Sequence, residues 1–294
     1  MDRLTQVTTP DGLVLDVTDT GPLDGTPIVL LHGFPERATS WRLVAPLLHE
    51  RGLRTFAVDQ RGYAPRARPR GRRAYRLENL ADDAGAVVAA VRAATGQPVH
   101  VAGHDWGAAV AWAVAARPGL VASLTALSVP HPAAFLRSFT RSDQARRSWY
   151  MGFFQLPRVP EALARRAGGS LESLLARTGM TTPELARFRA EVVETGALTG
   201  ALGWYRALPL APPRVGRVRV PTTMVWSDGD DAIGRAAAEG CEDFVVGEYE
   251  LVVLGGVTHW IPTQAPEAAA EAIAARVLGH REDVRGDQQD GEQQ

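Results

Sequence analysis

The feature that most constrains the fold is a pentapeptide with glycine at both ends, Gly-His-Asp-Trp-Gly at 103–107. It follows a short apolar run at 99–102 and precedes an alanine-rich segment at 107–116. Glycines at this spacing let a chain pass from a buried strand into a helix through a sharp turn, the geometry of the nucleophile elbow G-x-S-x-G. Asp105 stands where the serine would be, so we expect its side chain to project from the C-terminal edge of a sheet. A simpler alternative is that Asp105 only caps the helix.

Apolar runs and helical patterns alternate along the chain with short connections, which predicts an α/β fold with a parallel sheet covered by helices on both faces. The predicted strands are 26–31, 55–58, 99–102, 124–129, 222–226 and 249–254, and the predicted helices are 77–94, 107–116 and 265–278. Residues 7–9 and 13–17 flank the turn sequence Pro-Asp-Gly, which predicts an antiparallel hairpin at the start.

The alternation stops near residue 133, where a helical stretch rich in Arg, Ala, Leu and aromatic residues begins. We therefore divide the chain into a first core part at 1–132, a helical cap at 133–214, a second core part at 215–280 and a polar tail at 281–294. The composition of the tail predicts disorder.

Composition excludes several classes of function. All 32 basic residues are arginine, so no lysine is present for a Schiff base or a P-loop. The formal net charge of -1 favours neither nucleic acid nor an anionic membrane as a partner. A single cysteine excludes an intramolecular disulfide framework. No signal peptide or membrane span is visible, so the expected location is cytoplasmic.

An aspartate at the elbow changes the chemistry that the elbow can perform. A carboxylate that attacks a saturated carbon forms an ester, and an activated water can then attack the carbonyl carbon of that ester. A serine in the same reaction would leave an ether, which water does not readily cleave. Asp105 therefore indicates an electrophilic sp³ carbon as substrate, either an epoxide or a carbon–halogen bond.

The second step needs a base for water and a carboxylate that orients the base. His259 lies after the last predicted strand and before the last helix, in the chain order nucleophile, acid, histidine. Asp230 follows the strand at 222–226 and is our candidate for the acid, whereas Asp228 and Asp231 fit turn positions. The other histidines are interpreted as packing, hydrogen-bonding or peripheral residues. For the developing oxyanion, the expected donors are the backbone N–H groups of Trp106 and Phe34.

These motifs resemble those of the α/β-hydrolase-fold epoxide hydrolases, over nearly the whole chain to about residue 280. The matching segments are His-Gly-Phe-Pro-Glu at 32–36, Asp-Gln-Arg-Gly-Tyr at 59–63 and the pentapeptide at 103–107, together with Asp230 and His259. The resemblance implies a mostly parallel eight-stranded sheet with a helical cap. It implies catalysis without a metal or an organic cofactor.

In this family two cap tyrosines hold the epoxide oxygen, and the resemblance assigns that role to Tyr150 and Tyr205. It also implies that Phe34, Pro35, Trp106 and Phe154 join the two tyrosines in contacting an apolar epoxide. The expected assembly is a monomer or homodimer. Two positions depart from the family pattern, since Ala64-Pro65-Arg66 follows Tyr63 and Gly203 stands where asparagine is common. Both departures concern substrate fit more than the catalytic core.

Three alternatives remain open at this stage. A haloalkane dehalogenase would share Asp105, Asp230 and His259. A non-catalytic binding protein and a biosynthetic enzyme with a specialised epoxide are the other two.

The segment from Arg61 to Arg76 is unusually basic, with seven arginines in sixteen residues. They indicate either a solvated loop or a patch for an acidic substrate or partner.

Overall fold

A computed structural model describes residues 2–166 and 169–291 of the chain. Within these residues, eight strands form one sheet in the order β1-β2-β4-β3-β5-β6-β7-β8. The strands are β1 (Gln6–Thr8), β2 (Val14–Thr20), β3 (Thr26–Leu31), β4 (Leu53–Asp59), β5 (His100–His104), β6 (Leu124–Leu127), β7 (Thr222–Ser227) and β8 (Tyr249–Leu254). β1 and β2 pair antiparallel, β2 is antiparallel to β4, and the remaining pairs are parallel. The predicted mostly parallel eight-stranded sheet is confirmed.

The α-helices of the described residues are α1 (Val44–Glu50), α2 (Leu77–Thr95), α3 (Trp106–Ala115), α4 (Pro132–Ser138), α5 (Gln144–Arg147), α6 (Trp149–Phe153), α7 (Val159–Ala164), α8 (Ser170–Arg177), α9 (Thr182–Phe188), α10 (Leu198–Ala207), α11 (Arg235–Glu239), α12 (Ile261–Gln264) and α13 (Pro266–Gly291). Short 3₁₀ turns lie at Ala38–Arg42, Arg72–Tyr75, Leu208–Leu210 and Glu242–Phe244, and a π turn lies at Arg189–Val193. The backbone of α13 continues through 281–291, in the tail whose composition predicts disorder, and 292–294 lie outside the described residues.

The two faces of the sheet carry separate apolar cores because alternate residues of each strand point to opposite sides. In β3, Val29 and Leu31 pack into the core that contains α2 and α3, whereas Ile28 and Leu30 pack into the core that contains α1 and α13. β6 ends two residues earlier than its apolar pattern predicts. Ser128 has φ 66° and turns the chain away from the sheet there.

The segment predicted to form the cap (residues 133–214, called the cap below) lies in sequence between β6 and β7, and its described residues contain helices and turns. Its helix α10 packs directly on the core. The indole N–H of Trp204 donates to the carbonyl of Arg61 at 2.8 Å. The backbones of Gly62 and Gly200 approach so closely that a Cβ on Gly200 would lie 2.5 Å from the carbonyl oxygen of Gly62. Over the described part of the chain, no helix combines the length and apolarity needed to cross a bilayer.

The arginine-rich segment at 61–76 contains one buried anchor and several exposed side chains. Arg61 is 2% exposed, and its guanidinium forms a bidentate pair with Asp83 at 2.7 Å and reaches Asp11 at 2.9 Å. Arg68 donates to the carbonyls of Tyr63 and Thr195. The exposed members are Arg66, Arg70, Arg72 and Arg73. Arg61 thus fixes the segment to the core, and the exposed arginines are compatible with both interpretations of the segment.

Candidate active site

The turn between β5 and α3 has the geometry of a nucleophile elbow. Asp105 has a positive φ of 52° with ψ -123°, a strained conformation for a residue that carries a side chain. The residues two positions before and after it must be glycine for steric reasons. A Cβ on Gly107 would lie 2.1 Å from the carbonyl oxygen of Leu31, and one on Gly103 would lie 2.3 Å from the carbonyl oxygen of Gly107. Gly33 has the same role in the facing loop, because a Cβ there would lie 2.3 Å from that of Asp105.

Asp105, His259 and Asp230 lie together at the C-terminal edge of the sheet, although they come from three separate loops. His259 Nε2 is 3.4 Å from Asp105 Oδ2, and His259 Nδ1 is 2.7 Å from Asp230 Oδ2. The other oxygen of Asp230 accepts the backbone N–H groups of Ala232 and Ile233 at 2.8 and 2.9 Å. With both oxygens bound, the Asp230 carboxylate holds the imidazole in one orientation.

The cap also holds the loop that carries Asp230. The guanidinium of Arg147 donates to the carbonyl of Asp230 at 2.9 Å. The Gln144 amide donates to the carbonyl of Ala232 at 2.7 Å and accepts the N–H of Gly234 at 2.9 Å. Asp228, by contrast, accepts the N–H of Gly256 at 2.7 Å, as a turn residue would.

Three polar residues lie behind the imidazole: His104, which is interpreted from the sequence as a packing or hydrogen-bonding residue, and Glu36 and Ser128, to which the sequence assigns no role. The carbonyl of His259 lies 2.9 Å from His104 Nε2 and accepts the hydroxyl of Ser128 at 2.8 Å. His104 Nδ1 lies 3.4 Å from Glu36 Oε2, and both residues are largely buried. The motifs at 32–36 and 103–107 contain Glu36 and His104, but their contact joins two loops that a sequence pattern does not bring together.

Electrostatics couple the two carboxylates to the imidazole. Burial lowers the pKa of His259, but the charges and hydrogen bonds of Asp230 and Asp105 outweigh it and raise that pKa to about 10. Burial likewise raises the pKa of Asp105, while the hydrogen bond and charge of His259 and the N–H of Phe34 bring it below its ordinary value. Asp105 is therefore ionised and His259 is protonated at neutral pH in the free protein.

One donor to the Asp105 carboxylate matches the expected oxyanion hole. The backbone N–H of Phe34 donates to Asp105 Oδ1 at 2.6 Å. This arrangement leaves Oδ2, the oxygen that faces His259, as the oxygen that can attack. The N–H of Trp106 as a second donor stays a prediction, as does a substrate contact of Pro35.

Tyr150 and Tyr205 come from helices α6 and α10 of the cap, and their ring centroids lie 6.1 Å apart. The ring of Tyr205 packs edge-on against Trp106 and Phe34 at 5.2 and 5.1 Å, and the ring of Phe154 lies 4.9 Å from it. Burial and the negative charge of Asp105 raise the pKa of both tyrosines well above the ordinary value. Both phenols therefore remain protonated donors at neutral pH.

Two cavities meet at Asp105. The larger has a volume of about 370 Å³, and apart from Asp105, Tyr150 and Tyr205 its walls are apolar. The smaller, of about 60 Å³, is also lined by Asp105, Tyr150 and Tyr205, and in addition by Phe34, Phe154 and His259. A metal is a separate question. Among the residues that the structure describes, no group of three or more His, Cys, Asp or Glu side chains could hold a metal ion.

Comparisons with known proteins show the family to which this fold belongs. A family model described as alpha/beta hydrolase fold matches residues 26–266. The chain is 33% identical over 280 residues to the AB hydrolase superfamily protein YfhM of Bacillus subtilis (strain 168), which covers 91% of this chain and 96% of that protein. It is 30% identical over 263 residues to Epoxide hydrolase 2 of Caenorhabditis elegans, and the match covers 84% of this chain and 72% of that protein. The crystal structure of Epoxide Hydrolase A from Mycobacterium thermoresistibile superposes with a TM-score of 0.74 at 29% identity, covering 93% of this chain and 97% of that one.

Proposed function

We propose that this chain, which belongs to the α/β-hydrolase-fold epoxide hydrolase family, hydrolyses an apolar epoxide to a vicinal diol. One observation carries the proposal. The elbow carboxylate has one oxygen bound by the Phe34 N–H and the other facing His259, and it lines the same cavities as two protonated phenols. This set supplies a nucleophile, two acids and a base for water.

In the first step, Asp105 Oδ2 attacks one ring carbon of the epoxide. A carbon–oxygen bond forms to the carboxylate, and the bond between that carbon and the ring oxygen breaks. The electron pair goes to the ring oxygen, which accepts a proton from Tyr150 or Tyr205 and a hydrogen bond from the other. Two donors placed at the developing alkoxide stabilise the transition state. The product is an ester between Asp105 and the new alcohol.

Ester formation prepares His259 for the second step. The charge of Asp105 is one of the causes that raise the pKa of the imidazolium, and the ester has no charge. We therefore expect the pKa of His259 to fall when the ester forms. The imidazolium then donates its proton to the tyrosinate and becomes a neutral base. The charge of Asp230 remains to stabilise the imidazolium when it forms again.

In the second step, neutral His259 removes a proton from water as the water oxygen adds to the ester carbonyl carbon. The negative charge develops on Oδ1, where Phe34 donates and Trp106 is proposed to donate. The intermediate collapses with cleavage of the bond to the diol oxygen. That oxygen takes the proton of the new carboxylic acid, and His259 keeps the proton from water. The charges of the free enzyme are restored.

A single turnover in heavy-oxygen water tests the proposal. We expect the label to enter the Asp105 carboxylate in the first turnover and the diol only in later ones, because the water oxygen stays on the enzyme. Peptide mass spectrometry locates the label. In His259→Gln the ester should accumulate and be visible as the enzyme mass plus the epoxide mass.

The same samples separate this function from the alternatives. Label in the diol during the first turnover would mean direct attack by water, and the ester mechanism would be wrong. Release of halide from haloalkanes together with no reaction of epoxides would establish the dehalogenase alternative. Asp105→Asn serves as the control that should form no ester with either class.

A further inference from the structure

The two cavities at Asp105 differ about sixfold in volume, 370 against 60 Å³, and they share the residues that would act on the epoxide ring. Asp105, Tyr150 and Tyr205 line both. An epoxide bound for attack therefore has its ring at the junction, with one substituent directed into each cavity. We call these cavities the large lobe and the small lobe.

His259 lines the small lobe and is absent from the walls of the large lobe. The water that His259 activates must lie within hydrogen-bond distance of its imidazole. That water therefore occupies the small lobe while the ester is present. The small lobe has to accommodate both the water and whatever substituent the substrate directs into it.

The volume of the small lobe limits this second occupant. At about 60 Å³ the small lobe has about one sixth of the volume of the large lobe, and the hydrolytic water takes part of that space. A hydrogen or a methyl group therefore competes with this water far less than a longer substituent does. The large lobe, with about 370 Å³, accepts a bulky substituent without displacing this water.

The walls of the small lobe are not free to move apart. Phe154 and Trp260 are 2% and 4% exposed, and Phe154 packs against the rings of Phe34 and Tyr205 at 5.2 and 4.9 Å. The indole N–H of Trp260 donates to the hydroxyl of Thr178 across the lobe at 3.2 Å. Widening this lobe would separate packed and hydrogen-bonded groups of core and cap.

We propose that the substrate class is an epoxide with one bulky apolar substituent and a short one, such as hydrogen or methyl, on the other ring carbon, because the small lobe holds the hydrolytic water as well. This inference rests on the proposed function. It implies that a larger second substituent still allows ester formation but excludes water, so that discrimination occurs in the hydrolysis step.

A matched series of epoxides tests the inference. Each has a phenethyl group on one ring carbon and hydrogen, methyl or n-propyl on the other, and the methyl and n-propyl members are trans. Rapid-quench mass spectrometry measures ester formation and ester hydrolysis separately. We expect the hydrolysis rates for the hydrogen and methyl members to agree within about tenfold. For the n-propyl member we expect ester formation with hydrolysis slowed by about a hundredfold or more.

Two leucine variants assign the effect to a lobe. Leu174 lines the small lobe and Leu136 lines the large lobe. Leu174→Ala should speed hydrolysis of the n-propyl ester by about tenfold or more relative to the hydrogen member. Leu136→Ala removes the same atoms from the large lobe and should leave that ratio unchanged.

The outcomes separate the inference from the proposed function. If no member of the series forms an ester or a diol, the proposed function fails and the inference fails with it. If all three are hydrolysed at similar rates, or if Leu174→Ala leaves the ratio unchanged, the function stands and the inference is wrong. The inference is also wrong if the three epoxides differ only in their rates of ester formation, since the second substituent would then not compete with the hydrolytic water for the small lobe.

Discussion

At the scale of single residues, the sequence predicts which side chains meet but not how their charges depend on one another. The order Asp105, Asp230, His259 and the glycines of the elbow are local signals, and the structure brings these three side chains together. The contacts of His104 and Ser128 with the His259 carbonyl, and of Glu36 with His104, do not follow from the sequence, because they arise from the packing of separate loops. A pattern along one chain does not encode such distances.

The two tyrosines lead to a kinetic prediction. Tyr150→Phe and Tyr205→Phe each remove one donor to the alkoxide, so we expect ester formation to slow by about ten- to a hundredfold in each and more in the double variant. Stopped-flow single turnovers measure this step. In each single variant ester hydrolysis should change little, because the remaining tyrosinate still takes the proton of the imidazolium and leaves His259 as a neutral base. Equal slowing of both steps would indicate a disturbed cap instead of a lost acid.

At the scale of elements, the buried Arg61 predicts a stability effect that the rest of its segment does not share. Arg61→Met would leave Asp83 buried without its partner, at a cost of about 3–5 kcal/mol in the free energy of unfolding. Urea unfolding followed by fluorescence measures the loss.

Arg72→Met is the matched control on the same loop, since Arg72 is exposed. We expect its stability to stay within about 0.5 kcal/mol of the wild type. We also expect an unchanged kcat/KM, because a solvated arginine has no part in the reaction. A rise in KM for Arg72→Met would instead support the interpretation that this segment contacts an acidic substrate.

The contact between Gly62 and Gly200 gives a second prediction at this scale. Gly200→Ala would force α10, and Tyr205 with it, away from the core, because the new Cβ has only 2.5 Å to the Gly62 carbonyl oxygen. We expect a loss of about 1–3 kcal/mol in stability and a lower rate of ester formation. Gly152→Ala in α6 is the control, since no atom lies within 4 Å of its added Cβ. Wild-type kinetics in Gly200→Ala would contradict the inferred crowding.

At the scale of the whole molecule, the raised pKa of His259 predicts how stability depends on pH. In the unfolded chain a histidine titrates near 6.5, whereas folded His259 titrates near 10. Protonated His259 therefore stabilises the folded state fully below about pH 6.5, and this contribution to the free energy of unfolding is lost as the pH rises toward 10. Between pH 7 and 9 the free energy of unfolding should fall by up to about 1.4 kcal/mol per pH unit, the slope for one proton.

Urea midpoints at pH 7, 8 and 9 measure this slope, and His259→Gln should flatten it. The buried His32 and His131 have the opposite effect on the pH dependence of stability, and they have it in a lower pH range. Burial lowers the pKa of both, that of His131 to about 4, so their effect is complete by about pH 7. The same slope in wild type and His259→Gln would show that His259 does not hold its proton in the folded state.

The fold as a whole follows closely from the sequence, because apolar runs and glycine turns are local signals of a parallel sheet. The shape of the cavity does not follow. Leu174, Thr178 and Trp260 line the small lobe together with Phe34, and these residues come from distant parts of the chain. Which lobe is small depends on how the cap helices pack on the core. Sequence patterning predicts that such helices exist but not where they lie.

One consequence of the topology concerns inheritance of substrate range. The proposed nucleophile, acid and base lie on the core, whereas a single contiguous segment between β6 and β7 supplies both phenols and more than half of the walls of each lobe. Recombination between related genes at the two ends of this segment would therefore transfer the cap and its substrate selectivity as one unit, while the residues proposed to carry out the reaction stay in place. Such exchange is restricted by Gln144 and Arg147, since their bonds to the Asp230 loop must be inherited together with their core partners.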